Sequence, residues 1–233
     1  MDKSEKNKYF LLIALNKIKF VALSKKNEIL FNKEIITNDT SLNESFKSLE
    51  SFLDQNIINI ENKLKDHIKD IYLIVNYNNF LFIDMSSTNN FKNYVDQPEN
   101  ASYFLNDIRN NLIKNMVNYD LMHMMINKFI IDKKNYSSIP IEGDYNDICL
   151  ELRFIFLKSD IINNFKSIIS KYQIIVKNIS CYEYVNNYNN AEKKNLFSLT
   201  YELSNGFNEK EIFFINKSSQ NKGFFEKFFN LFS

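Results

Sequence analysis

The chain has 233 residues, of which 45% are hydrophobic and 24% are charged, enough to bury a core in one large domain or two small ones. Lys and Arg together number 29 and Asp and Glu number 28, so the formal net charge is +1. This balance argues against nucleic acid as a partner. No stretch approaches the roughly 20 apolar residues that cross a bilayer, and the N-terminal apolar run is too short for a secretion signal. We therefore expect a cytoplasmic chain.

Segments typical of strands and segments with helical spacing alternate along the sequence. In chain order we predict strands at 9–15, 17–24 and 28–36, a helix at 38–68, strands at 71–76 and 80–86, a helix at 99–116, strands at 121–132 and 148–157, a helix at 159–172, a strand at 173–180 and a hairpin at 196–216. This alternation predicts an α/β protein built from α+β layers, and not a helix bundle or a sandwich.

The residues that could carry chemistry are few and scattered. His67 and His123 have no Cys or carboxylate at ligand spacing, which favours a surface role for the first and a buried structural role for the second. Glu209 and Glu211 are interpreted as solvated charge. The two cysteines, Cys149 and Cys181, show no CxxC spacing, so we predict reduced thiols. These patterns predict no metal, no cofactor and no catalytic site.

A longer pattern lies in the middle of the chain. His123 opens a strand that ends at Asp132, a turn with Pro140 and Gly143 follows, and another strand leads into a helix. This order resembles FtsA, a family of bacterial cell-division proteins that are membrane-bound relatives of actin. One glycine of the family's Pro-x-Gly-x-x-Gly turn is missing here.

The resemblance implies a truncated actin-like (ribonuclease H-like) first lobe that carries an inserted strand-helix-strand-strand (SHS2-type) subdomain and ends in an amphipathic helix. It divides the chain into the first part of the actin-like subdomain at 1–76, the partner-binding insertion at 77–170, return strands and a hairpin at 171–216, a linker at 217–222 and the terminal helix at 223–233.

Nucleotide binding in this family depends on tight glycine turns beside carboxylates, because glycine lets backbone amides crowd around phosphate. At the first of these turns the chain has Asn16 where the family has Asp, and the glycine is absent. The second turn is matched to the predicted late hairpin, where Glu202 and Gly206 remain. One carboxylate and one glycine do not make a phosphate clamp, so we expect a protein that is not an enzyme and binds no nucleotide.

The last eleven residues carry a dense apolar pattern. At about 100° per residue, one arc of a helix collects six side chains that we predict to anchor the chain in a membrane, while Glu226, Lys227 and Asn230 lie opposite. Ten residues span about 15 Å as a helix, so the helix lies on a bilayer without crossing it. The anchoring residues are Phe224, Phe225, Phe228, Phe229, Leu231 and Phe232. A docking role on the protein's own core, or in a partner's groove, is the alternative.

Taken with the resemblance, these features predict a non-enzymatic cell-division adaptor, peripheral on the inner face of the cell membrane. Its partners are then the membrane surface and other division proteins, either the tubulin-like ring protein or transmembrane components. Because one apolar tip binds weakly, stable attachment requires several copies, as a homo-oligomer provides. Two alternatives stay open: a peptide-binding adaptor of the type IV pilus kind (PilM-type), and a degenerate actin-type ATP-binding protein.

Overall fold

The first three strands form an antiparallel meander at one side of a five-stranded sheet. The computed structural model describes residues 6–89, 98–136, 148–192 and 194–213. In it β1 (Lys8–Ala14), β2 (Lys17–Leu23) and β3 (Ile29–Ile36) pair in sequence. Two later strands, β4 (Asp70–Asn76) and β9 (Ile175–Cys181), extend the sheet in parallel beyond β1, giving the order β3-β2-β1-β4-β9.

Helices cover both faces of this sheet. They are α1 (Leu42–Leu64), α3 (Ser159–Ser170), α4 (Tyr182–Glu192) and α5 (Leu196–Ser204). Six consecutive residues of β1, from Tyr9 to Ala14, are buried, and because side chains alternate along a strand this requires cover on both sides. Phe10 packs against Phe197 of α5 with ring centroids 5.8 Å apart. Elsewhere in the same unit, Phe46 of α1 meets Phe165 of α3 at 5.2 Å.

A second sheet is built from the middle of the chain. Its elements run β5 (Leu81–Asn89), α2 (Pro98–Asn115), β6 (Tyr119–Ile131), β7 (Lys134–Tyr136) and β8 (Ile148–Lys158), and its strand order is β5-β8-β6-β7. Leu105 of α2 packs with buried residues of β6 and β8, among them Phe129 and Phe154. This helix therefore covers one face of the second sheet, and the two together form a hydrophobic core.

The chain divides into two compact units along these lines. Unit 1 comprises Met1–Phe80 and Lys158–Phe207, and unit 2 comprises Leu81–Leu157 and Asn208–Ser233. The insertion predicted at 77–170 stays a prediction; in this division α3 belongs to unit 1. The predicted α/β class is confirmed by the two sheets and the five helices of the described residues.

Two predictions near the end of the chain differ from the structure. The late hairpin predicted for 196–216 is wrong over 196–204, because these residues form the helix α5. The helix α4 has no counterpart among the predicted elements. The other predicted elements are present, with ends that differ by a few residues.

None of the helices in the described part of the chain combines the length and the apolar character that a membrane span requires. The terminal helix predicted for 223–233 lies outside the described residues.

Candidate functional site

The edge of the first sheet where its parallel strands end is the place to test for a ligand site. The register brings Ala14 of β1 opposite Asn76 of β4, and Val75 opposite Cys181 of β9, so three carboxyl ends lie in one row. Ligands of open α/β sheets bind at this edge, where loops and helix N-termini converge. We therefore describe the connection that follows each strand.

The turn between β1 and β2 is short and closed. Ala14 pairs with Lys17, which leaves Leu15 and Asn16 as the two-residue turn. The carbonyl of Asn16 accepts the backbone N–H of Thr37 at 2.9 Å, and the carbonyl of Leu15 accepts the Thr37 hydroxyl at 2.9 Å. The carbonyl oxygens of the turn thus face Thr37 and accept its backbone and hydroxyl donors. The turn contains no glycine, so its backbone amides cannot crowd around a phosphate.

The N-terminus of α1 is capped by Ser41, in a variant of the capping box in which Glu44 reaches back to Thr40, the residue before the cap. The Ser41 hydroxyl accepts the N–H of Glu44 at 3.3 Å, and the Glu44 carboxylate accepts the N–H of Thr40 at 2.7 Å and the Thr40 hydroxyl at 2.8 Å. The backbone N–H of Thr40, followed by its hydroxyl, holds the pKa of Glu44 below its usual range. A fixed negative charge at this helix start disfavours a bound anion.

An aromatic side chain follows β4 at the same edge. Tyr77 is buried, shares a hydrogen bond with Ser45 of α1, and stacks on Phe165 of α3 at 6.1 Å. Burial raises the pKa of Tyr77 to about 12, although the bond to Ser45 opposes the shift. This tyrosine is therefore a neutral packing residue that joins α1, β4 and α3.

Beyond β9 the chain turns directly into α4. Burial raises the pKa of the Cys181 thiol, and the backbone N–H groups of Tyr184 and Glu183, which interact with its sulfur, oppose that shift in part. Neither Cys149 nor Cys181 takes part in a disulfide. Because burial disfavours the thiolate, Cys181 has the character of an inert structural cysteine.

The second predicted glycine turn has a different role. Glu202 lies on α5 and accepts a hydrogen bond from the Lys194 ammonium at 2.9 Å. Gly206 has φ +87° and donates to the carbonyl of Leu203, while Phe207 donates to the carbonyl of Glu202. These bonds form a Schellman motif, which ends the helix. The alignment of Glu202 and Gly206 with a phosphate-binding turn is therefore wrong, because the segment is a helix end.

A second polar centre lies in unit 2, at residues that sequence spacing did not connect. His123 of β6 and Glu211 bond through Nδ1 and Oε1 at 2.7 Å, with side chains only 5% and 4% exposed. The buried structural role predicted for His123 fits this contact, whereas the interpretation of Glu211 as solvated charge is wrong. Their 88-residue separation explains why spacing did not reveal the pair.

Backbone pairing holds Glu211 in place. The N–H of Ile126 donates to the carbonyl of Lys210 at 2.9 Å, and the N–H of Ile212 donates to the carbonyl of Met124 at 2.8 Å. Met125 and Glu211 face each other in an antiparallel bridge. Residues 208–213, here named the clasp segment, thus form an isolated antiparallel bridge to β6 within unit 2.

The six predicted anchoring residues, Phe224 to Phe232, lie outside the described residues, so their role stays a prediction. In the described part of the chain no group of three or more His, Cys, Asp and Glu side chains is placed to hold a metal ion.

Comparison with known proteins finds likeness among solved structures. No protein-family model matches the chain, and no curated protein matches it. The PilM–PilN type IV pilus biogenesis complex has a TM-score of 0.46 at 8% identity, over 81% of this chain and 51% of that chain. The cytoplasmic domain of EpsL, an inner membrane component of the type II secretion system of Vibrio cholerae, has a TM-score of 0.39 at 6% identity, over 77% of this chain and 57% of that one.

A third similar structure is a Bacteroides thetaiotaomicron protein with an actin-like ATPase fold and unknown function. Its TM-score is 0.36 at 11% identity, over 81% of this chain and 58% of that chain. The chain therefore spans between half and three fifths of the length of these solved chains. At such scores and identities, the likeness assigns no activity, ligand or partner to the chain.

Proposed function

We propose that the protein is a non-enzymatic adaptor of the FtsA-like kind, which links division proteins to the cytoplasmic face of the membrane. The observation that carries this proposal is the carboxyl edge of the first sheet, where an actin-type ATPase needs amides and carboxylates for nucleotide. There the turn at Leu15 and Asn16 faces Thr37, the start of α1 is capped by Glu44, and Tyr77 is packed into the protein. These contacts support a binding or scaffolding role for this lobe.

Attachment to the membrane is the part of the proposal that depends on the terminal residues. Each fully buried Phe side chain contributes about 1.5–3 kcal/mol, and ordering of the helix opposes this by about 1–2 kcal/mol per residue. One tip is therefore weak, and several copies together bind firmly. Because the tip has almost no net charge, apolar insertion outweighs attraction to anionic lipid.

Flotation with lipid vesicles tests the anchor. The full chain should float with neutral phosphatidylcholine vesicles, and a chain ending at Lys222 should stay at the bottom of the gradient. Phe224→Ser with Phe228→Ser should abolish flotation, while the matched pair Lys227→Ser with Asn230→Ser on the opposite arc should leave it unchanged. Equal flotation of the full and shortened chains would favour the alternatives, in which the tip fills a protein groove or the chain is an adaptor of the type IV pilus kind.

Thermal unfolding with nucleotide tests the other half of the proposal. A ligand that binds the folded state raises the midpoint of thermal unfolding. Because we expect no nucleotide binding, the midpoint should not move when magnesium and ATP are added at millimolar concentration. A rise that saturates with ATP concentration would favour the degenerate ATP-binding alternative. This result is independent of flotation, so the two parts of the proposal can fail separately.

A further inference from the structure

The strand β3 is the outermost strand of the first sheet in the described part of the chain. β2 pairs with one side of it, in regular register from Phe31 to Ile36, and none of the described strands pairs with its other side. Antiparallel partners alternate between residue pairs that exchange hydrogen bonds and pairs that do not, so every second residue of β3 turns its N–H and C=O away from β2. These groups are arranged to pair with a further strand.

Two lysines lie at the contact between β3 and α1. Lys33 is half-buried, and its ammonium donates to the side-chain oxygen of Asn56, a buried residue of α1. Lys63, in the last turn of α1, has its Nζ 5.7 Å from the centre of the Phe31 ring. Side chains two residues apart share a face of a strand, so Phe31 and Lys33 both lie on the face that α1 covers. We name these four residues the β3 rim.

The β3 rim carries positive charge without a matching carboxylate. Within the residues that the structure describes, neither Lys33 nor Lys63 forms an ion pair with Asp or Glu. On the opposite face of the sheet, by contrast, Lys19 pairs with Glu34 of β3 at 3.1 Å. A charge that is partly removed from water is best stabilised by a hydrogen-bonded group of opposite charge. The rim is therefore complementary to a partner that brings carboxylates.

We propose that the β3 rim is a docking edge for an extended acidic segment of a partner protein, which adds to the five-stranded sheet as a strand beside β3. In this mode of recognition the backbone hydrogen bonds supply affinity and alternate side chains supply selectivity. Carboxylates two residues apart lie on one face of the added strand, about 6.6 Å from each other. One of them pairs with Lys33, and the next pairs with Lys63 beside Phe31.

Apolar side chains at both ends of β3 fit the same occupant. Ile29 is 54% exposed and Ile36 is 81% exposed. An added strand that extends past the rim covers part of each side chain, which is favourable because it removes apolar surface from water. The segment that we infer is therefore extended, with acidic residues at alternate positions in its middle and apolar residues towards its ends.

The docking edge deepens the proposed adaptor role and rests on it, because an adaptor must bind a protein as well as a membrane. It adds the class of partner, a protein with an extended acidic segment. Binding at β3 involves neither the terminal residues nor a nucleotide. A failure of peptide binding is thus distinguishable from a failure of the flotation or ATP experiments.

Selections from a random peptide library test the proposal. Peptides of about eight residues span β3 at about 3.3 Å per residue. They are selected in parallel on the unaltered chain and on Lys33→Met, which keeps an unbranched apolar side chain and lacks the charge. We expect the unaltered chain to enrich peptides with Asp or Glu at alternate positions, and Lys33→Met not to enrich them. Failure of the unaltered chain to enrich such peptides would overturn the proposal.

Fluorescence anisotropy with an enriched peptide locates the contact. Lys33→Met and Lys63→Met should each raise the dissociation constant about fivefold, since each removes one ion pair. Lys19→Met is the matched control and should leave the constant unchanged, because Lys19 lies on the other face of the sheet and is already paired with Glu34. An equal loss of affinity in all three variants would assign binding to general positive charge and contradict a docking edge.

Backbone methylation of the peptide tests strand addition on the unaltered chain, so that no variant has to fold. Methyl groups on the nitrogens of alternate residues remove every second N–H donor of the peptide. Methylation of the set that faces β3 should abolish binding, and methylation of the other set should leave it intact. Equal effects of the two sets would exclude an added strand.

A different role for the lysines gives the opposite result. Lysines on edge strands also discourage pairing between copies of a protein. If that were the role of Lys33, Lys33→Met would self-associate in analytical ultracentrifugation and the unaltered chain would bind none of the peptides. We expect Lys33→Met to sediment as the unaltered chain does, and self-association of this variant without peptide binding by the unaltered chain would show the proposal to be wrong.

Discussion

At the scale of single residues, the pair formed by His123 and Glu211 is the contact with the clearest energetic consequence. Both side chains are almost fully buried and 2.7 Å apart, and a buried polar group that loses its partner costs about 1–3 kcal/mol. We predict that Glu211→Gln lowers the free energy of unfolding by an amount in this range, because the amide keeps the shape but weakens the bond. Urea denaturation followed by circular dichroism measures the change.

Glu209 provides the matched control for that substitution. It is exposed and lies two residues away on the same segment, so Glu209→Gln should change the stability by less than about 0.5 kcal/mol. If Glu211→Gln and Glu209→Gln changed the free energy of unfolding equally, the bond between Glu211 and His123 would make no net contribution to stability.

A second residue-scale feature follows from the scarcity of glycine, of which the chain has 3. Asp132 and Lys133 form the two-residue turn between β6 and β7, with Ile131 paired to Lys134, and both have positive φ, 47° and 67°. Turns of this kind favour glycine, because a side chain in the left-handed region is strained by about 1–2 kcal/mol. The chain here uses polar residues where glycine is the usual choice.

We predict that Lys133→Gly stabilises the protein, by about 0.5 kcal/mol once the added freedom of the unfolded chain is subtracted. The adjacent Lys134→Gly should do the opposite, since Lys134 belongs to the strand β7 and glycine weakens a strand by about 0.5–1 kcal/mol. Thermal unfolding of the two variants measures the signs. A loss of stability in Lys133→Gly would show that the left-handed turn is not strained.

At the scale of elements, the apolar strands could be predicted from the sequence, whereas the helix α5 was mistaken for a hairpin. Asn205 and Gly206 follow a segment that contains three leucines and the aromatic residues Phe197 and Tyr201, and this dipeptide is typical of a hairpin turn. The same dipeptide also ends helices, which is its role here. Asn195 was the available signal, because its side chain accepts the N–H of Phe197 and caps α5. When a local sequence pattern is compatible with both a hairpin turn and a helix end, tertiary contacts determine which of the two forms.

The pairing of β5 with β8 leads to a prediction about pH. Arg153 donates two hydrogen bonds to the Asp84 carboxylate, at 2.7 and 2.6 Å, and these bonds hold the pKa of Asp84 below its usual range. A lowered carboxyl pKa stabilises the fold above the ordinary value near 4, and the contribution is lost as the pH falls through the folded-state pKa. Both side chains are exposed, so the effect is partly screened by solvent.

We therefore predict that Asp84→Asn is more destabilising at pH 7 than at pH 3. Urea denaturation of the native chain and the variant at both values measures the difference. The difference at pH 7 should also shrink in about 1 M salt, because screening acts on exposed charges at that ionic strength. A destabilisation that stays constant across pH and salt would assign the effect to packing and not to the ion pair.

At the scale of the whole molecule, the two candidate sites differ in how much the sequence revealed. The absence of a glycine turn at Asn16 could be read from the sequence, because the residues that a phosphate turn needs are adjacent in sequence. The bond between His123 and Glu211 could not, since it joins positions 88 residues apart through a strand pairing that neither segment specifies alone. Sites made by local turns are predictable from a single sequence, whereas sites made by chain crossings require the fold.

The division into two units gives the last prediction. Every strand and helix of the first sheet lies in residues 1–80 and 158–207. Leu81 is paired with Phe156, so the segment 81–157 begins and ends on neighbouring strands, with paired Cα atoms about 4.5–5.5 Å apart. Insertions that begin and end at adjacent points can be removed with little disturbance to the host.

We predict that a chain ending at Phe207, in which a linker of about four Gly and Ser residues replaces 81–157, folds cooperatively. Far-ultraviolet circular dichroism and a sigmoidal urea transition measure this. Phe10→Ala in the same chain is the control for native packing: Phe10 is fully buried, so the substitution should cost about 3–5 kcal/mol. A non-cooperative transition, or one that Phe10→Ala leaves unchanged, would mean that the first sheet depends on unit 2 for its core. A cooperative transition would establish that unit 2 and its clasp segment are an addition to an independently stable lobe.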